Sequence, residues 1–75
     1  MVKETKEERY ARRYERYAQY RDSRGFSDYY ISKTCGIPQS TLTAWKQGRT
    51  CPVVDTLVSI ASELGITVSE LIGDD

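Results

Sequence analysis

Residues 27–48, SDYYISKTCGIPQSTLTAWKQG, decide how this chain folds. Ser27 suits a helix N-cap, and Asp28 in the first turn places negative charge where it complements the helix dipole. The helical pattern breaks at Cys35, Gly36, Ile37 and Pro38. A glycine just past a helical stretch fits a left-handed C-cap, and a proline fits the first turn of the next helix because it has no N–H to leave unsatisfied. A second helix then runs over about residues 39–47 and closes at Gly48. Ile31 and Cys35 on the first helix, Ile37 in the turn, and Leu42 and Trp45 on the second form an apolar set able to lock the two helices at a fixed angle. Polar Gln39, Ser40, Thr43 and Gln47 are left facing outward.

Working outward, Gly25, Gly36, Gly48 and Gly65 each follow a helix-compatible stretch and divide the chain into five helices. The reading places them at about residues 3–24, 27–34, 39–47, 54–64 and 68–72, with no convincing strand. Pro52 lies in the loop before the fourth helix. Thr67 with Glu70 three residues on makes a capping box for the fifth. Leu57, Ile60, Ala61 and Leu64 repeat at helical spacing and complete a core whose end Ile66 and Leu71 plug. With 75 residues the chain has material for one hydrophobic core and no more, so a single compact domain is expected.

The 11 basic and 11 acidic residues cancel, so net charge alone does not point to nucleic acid. Their distribution says more: Met1–Pro52 carries 11 Lys and Arg against six Asp and Glu, hence +5, while Val53–Asp75 carries five acids and no base. Such a polarised molecule can offer one basic face to phosphate. Two cysteines without a histidine fall short of a structural zinc site, so no metal or other cofactor is expected and Cys35 and Cys51 read as free thiols. No signal peptide and no apolar run of spanning length is present, which leads one to expect a cytoplasmic, reducing compartment and no membrane partner. An enzyme would have to work without a histidine, a phosphate-binding glycine loop or paired carboxylates beside a pocket, so no catalytic residue and no small-molecule substrate are expected.

The first helix carries Tyr10, Tyr14, Tyr17 and Tyr20 on one side with Ala11 and Ala18, an aromatic stripe of helical period. Tyr17 and Tyr20 read as core. Tyr10 and Tyr14 need another surface, either the chain's own C-terminal helix or a second chain. Arg9, Arg12, Arg13 and Arg16 form an adjacent stripe that reads as a solvated face, with Glu8 four residues before Arg12 as its pairing partner.

Residues 27–48 have the layout of a helix-turn-helix. Three segments in order, YRDSRGFS, GIPQSTLTAWKQGR and CPVVDTLVSIASELGITVSELI, resemble the Cro and CI phage-repressor family, also called the XRE family. The likeness runs over about Tyr17–Ile72. It implies an all-α, five-helix, lambda-repressor-like domain over residues 17–72, preceded by an extension of the first helix over 1–16 and followed by a short acidic tail, 73–75. In such a domain the third helix enters the major groove of double-stranded DNA while the start of the second meets the backbone. Family base-contacting positions fall on Gln39, Ser40, Thr43 and Ala44. The amide of Gln39 can both donate to and accept from adenine, whereas Ala44 offers at most a contact to a thymine methyl. Ser27, Lys33, Lys46, Gln47, Arg49 and Thr50 are the implied phosphate contacts. Asp28 stands where the family commonly has a glutamine facing phosphate, and a carboxylate there would repel it. The resemblance implies a repressor of phage or mobile-element type, or an antitoxin-like autoregulator. Val68 and Ile72 at the closing end are candidates for a two-fold homodimer contact that would set two recognition helices about 34 Å apart. The competing reading is a bundle redirected to a protein partner through Tyr10 and Tyr14.

Overall fold

The computed structural model describes residues 3–73, and Asp74 and Asp75 of the expected acidic tail lie outside them. The described residues form five helices and no strand: α1 (Lys6–Ser23), α2 (Asp28–Cys35), α3 (Gln39–Lys46), α4 (Val54–Leu64) and α5 (Val68–Ile72). The architecture is all-α and lambda-repressor-like, with a long first helix, as the sequence led one to expect. α1 packs against α3 and α5, α2 against α3 and α4, and α4 against α5. Ile31, Leu42, Trp45, Ile60, Leu64 and Leu71 are buried where these faces meet, joined by Tyr14 and Tyr17 from α1.

Helix ends follow from local chemistry. α1 starts three residues later than expected, because Thr5 caps it: the Thr5 hydroxyl accepts from the Glu8 N–H at 3.1 Å and the Glu8 carboxylate accepts from the Thr5 N–H at 2.9 Å. This reciprocal pair satisfies two N–H groups that the first turn otherwise orphans. Arg12 pairs with the Glu4 carboxylate at 2.9 Å. At the other end of α2, Gly36 adopts φ +67°, a conformation that costs a side-chain-bearing residue about 1–2 kcal/mol. The Ser32 hydroxyl then donates to the Ile37 carbonyl at 2.5 Å, pinning the turn that leads into α3.

Two arginines, Arg16 in α1 and Arg24 at its C-cap, reach the far side of the bundle. Arg24 donates to the Leu64 carbonyl at 2.5 Å, satisfying an orphan acceptor at the end of α4. Arg16 donates to the Glu70 carbonyl in α5 at 2.7 Å. Arg16 is therefore part of the contact between α1 and α5 and not a member of a purely solvated stripe.

Candidate nucleic-acid interface

α3 is anchored on one side and open on the other. Leu42 and Trp45 are buried to within 1% of completeness, fixing the roll of the helix about its axis. At about 100° per residue the opposite side carries Gln39, Thr43, Gln47 and Ser40 within an arc of about 100°, with Ala44 at its edge. The first four are exposed and Ala44 is half-buried. Among the described residues, the side chains of Gln39, Ser40, Thr43 and Gln47 make no hydrogen bond within the chain. Lys46, Arg49 and Thr50 are exposed beside the end of α3, and Ser27 and Lys33 are exposed on the α2 side. The Ser27 hydroxyl is already engaged as the α2 cap, accepting from the Tyr30 N–H at 3.1 Å.

The helix is held at its C-terminal end by an unusually close approach. Gly48 has φ +78°, and a Cβ placed on it would lie 2.7 Å from the Glu7 carbonyl oxygen. The backbone of the first turn of α1 therefore rests directly on the residue that closes the recognition segment, a contact open only to glycine.

A polar cluster ties α1 to the start of α2. The Tyr14 and Tyr17 hydroxyls donate to the two Asp28 carboxylate oxygens at 2.7 and 2.8 Å, and Arg21 donates to Asp28 at 2.7 Å and to the Tyr14 oxygen at 3.1 Å. Burial alone would push the Asp28 carboxyl up, but hydrogen bonds from Tyr14, Tyr17 and Arg21 outweigh it and hold the group below its ordinary range. Burial first, and the bond to Asp28 second, push the Tyr14 and Tyr17 hydroxyls above the ordinary phenol range. Burial opposes the charge on Arg21, but hydrogen bonds to Asp22, Tyr14 and Asp28 prevail and keep it firmly protonated. The cluster lies on an aromatic layer: Tyr17 stacks on Trp45 with centroids 5.0 Å apart, and Tyr14 meets Trp45 edge-on at 5.5 Å.

This layer corrects one expectation. Tyr14 is buried within the chain itself, its ring against Trp45 of α3 and its hydroxyl on Asp28 of α2, so a second chain is not needed to cover it. Tyr10 is half-buried against the same core. The reason is that Trp45 is large enough to receive both rings while Asp28 satisfies their hydroxyls. It also explains the departure at Asp28, whose carboxylate is turned inward and neutralised by Arg21 instead of facing phosphate.

Residues 18–71 match a family model described as helix-turn-helix, which spans the turn, both flanking helices and the closing pair. The chain belongs to that helix-turn-helix family, of the Cro and CI repressor type. No curated protein and no solved structure matches the chain. Membership in the helix-turn-helix family gives the chain a DNA-binding, regulatory role.

Elsewhere, Val68 is half-buried against the core and Ile72 is half-buried at the end of α5. Among the described residues no group of His, Cys, Asp and Glu could hold a metal, and no helix is long and apolar enough to cross a membrane. Cys35 and Cys51 are free, and burial, followed by the Glu63 charge, pushes the Cys35 thiol up. Sequence reasoning missed the exposed side chains of Tyr29, Val53, Val54 and Val58. Val53 is the N-cap of α4, and Val54 and Val58 lie four residues apart just outside its buried stripe, while Tyr29 was hidden among tyrosines whose common role looked like packing.

Proposed function

We propose that the chain is a sequence-specific transcriptional repressor that inserts α3 into the major groove of an operator. The observation that carries this is the unpartnered polar arc of Gln39, Ser40, Thr43 and Gln47 on a helix whose opposite side is locked by Leu42 and Trp45. Side chains with unused donors and acceptors on a rigid helix are what base-edge readout needs. Gln39 at the N-terminal end of α3 reads adenine, with Ser40, Thr43 and the Ala44 methyl contributing less discrimination. Ser27, Lys33, Lys46, Gln47, Arg49 and Thr50 border that arc and position the protein on phosphate. The start of α1, seated on Gly48, stabilises the end of the recognition segment. The division into an extension over residues 1–16, a DNA-binding body over 17–72 and a tail fits this reading. A homodimer with Val68 and Ile72 at its contact would place two copies of α3 about 34 Å apart, the spacing of half-sites one helical turn apart.

The test is selection of binding sites from a randomised duplex pool, followed by affinity measurements on the enriched and a scrambled duplex at two salt concentrations. An enriched inverted repeat with half-sites one turn apart is the expected result. Failure to enrich any sequence, with only weak and strongly salt-dependent binding left, would overturn the repressor reading.

A further inference from the structure

At the start of α2, the end that a helix-turn-helix lays across the DNA backbone, the Asp28 side chain is committed elsewhere and Ser27 keeps only its O–H to donate outward. Ser27 Oγ caps the helix, and both Asp28 oxygens are taken by Tyr14, Tyr17 and Arg21. What the first turn presents outward is Tyr29, 57% exposed, with the Lys33 ammonium 5.4 Å from its ring centroid. The Tyr29 hydroxyl makes no hydrogen bond among the described residues.

Their direction follows from their neighbours. With Asp28 and Ile31 facing inward, Ser32 reaches the Ile37 carbonyl in the turn toward α3 and Tyr30 donates to Glu63 of α4 at 2.9 Å. At about 100° per residue, Tyr29 and Lys33 lie between those two sides, pointing away from the core. Cation–π attraction draws the ammonium to the ring, so two donors, one neutral and one charged, lie side by side. A phosphodiester oxygen accepts from both, and Lys33 supplies the charge that a phosphate favours.

We infer that Tyr29 and Lys33 together form a phosphodiester contact at the start of α2, replacing the contact that the inward-turned Asp28 cannot make. The inference rests on the DNA-binding reading above and adds Tyr29 to it. The two are separable, because a phosphate contact acts on every sequence whereas Gln39 acts on the choice of sequence.

Tyr29→Phe, Lys33→Gln, the double variant and Gln39→Ala are to be compared by fluorescence anisotropy on a mixed-sequence duplex and on the enriched duplex, over a series of salt concentrations. Tyr29→Phe removes one exposed hydroxyl, so its melting temperature should equal that of the parent while affinity for both duplexes falls roughly tenfold with the salt slope unchanged. Lys33→Gln should weaken both duplexes and reduce the slope by about 1. The double variant should lose less than the sum, because each group holds the other. Unchanged affinity in Tyr29→Phe, or a loss confined to the enriched duplex, would overturn the inference. In either case the repressor reading survives if Gln39→Ala still abolishes the preference between duplexes, and both fall if no variant alters binding to either duplex.

Discussion

The polar groups packed around the inner side of α3 and those on its outer side are treated in opposite ways, although the buried Trp45 Nε1 itself finds no partner among the described residues. On the inner side, next to Trp45, the hydroxyls of Tyr14 and Tyr17, the Asp28 carboxylate and the Arg21 guanidinium satisfy one another within 2.7–3.1 Å. On the outer side the side chains of Gln39, Ser40, Thr43 and Gln47 make no hydrogen bond among the described residues. A closed polar network in a low-dielectric setting fixes geometry, because every alternative arrangement leaves a group unpaired. An open one leaves its hydrogen bonds to be made with something else. The contrast separates the residues that aim the recognition helix from those that use it, and it can be broken from either side.

The largest effect should come from the shared pivot. Trp45→Ala removes the ring on which Tyr14 and Tyr17 rest, and deletion of a buried tryptophan costs about 3–5 kcal/mol. A chain of 75 residues has roughly 4–11 kcal/mol of stability in total. Far-UV circular dichroism should therefore show a sharply lowered melting temperature or an unfolded chain, and a melting curve like the parent's would show that the aromatic layer does not anchor α3.

Next is the network itself. Asp28→Ala leaves two tyrosine hydroxyls without their acceptor and takes the inner carboxylate from Arg21, which keeps Asp22, at a cost of about 2–3 kcal/mol, read as a lowered midpoint in urea. The pH dependence has a definite sign at each end. Asp28 is held below its ordinary value, so its contribution is present above about pH 4 and is lost as pH falls through its folded value. Tyr14 and Tyr17 are raised, so their contribution is full below about pH 10 and is lost as pH rises through their folded values. The stability gap between parent and Asp28→Ala should be flat at neutral pH and shrink toward both extremes. A gap that widens in acid would contradict the inward assignment of Asp28.

A smaller loss is expected at the end of the recognition segment. Gly48→Ala forces a side chain into a positive-φ conformation and against the Glu7 carbonyl, together about 2 kcal/mol. Gly36 shares the conformation, but nothing lies within 4 Å of its missing Cβ, so Gly36→Ala should cost about half as much. Equal losses at the two positions would mean that the seating of α1 on Gly48 contributes nothing.

Much of this was legible in the sequence, for identifiable reasons. Gly36, Pro38, Gly65 and the Thr67–Glu70 box act locally, within a turn of chain, and the helices they bound lie where periodicity placed them to within a residue or two. The beginning of α1 was misjudged because the Thr5–Glu8 box sits inside a run of charged residues that reads as helix throughout. The destination of Tyr14 was not legible at all. Helical spacing tells which residues share a face, but the choice between a second chain and the chain's own Trp45 depends on how α1 crosses α3. The role of Asp28 was hidden for the same reason, since its partners Tyr14, Tyr17 and Arg21 stand 14, 11 and seven residues away.

The smallest effect on stability should accompany the clearest effect on function. The Gln39 side chain is exposed and makes no hydrogen bond among the described residues, so Gln39→Ala should leave the melting temperature within the change equivalent to about 0.5 kcal/mol. Helix propensity, if anything, favours the alanine. Yet a glutamine that pairs with an adenine edge contributes about 1–3 kcal/mol of discrimination, so the ratio of affinities for enriched and scrambled duplexes should collapse by roughly tenfold or more. Asp28→Ala should behave in the opposite way, losing stability first and, measured where it is fully folded, weakening both duplexes alike. If the two variants instead changed stability and discrimination in parallel, the inner and outer sides of α3 would not be separate devices, and the division between aiming and reading would have to be abandoned.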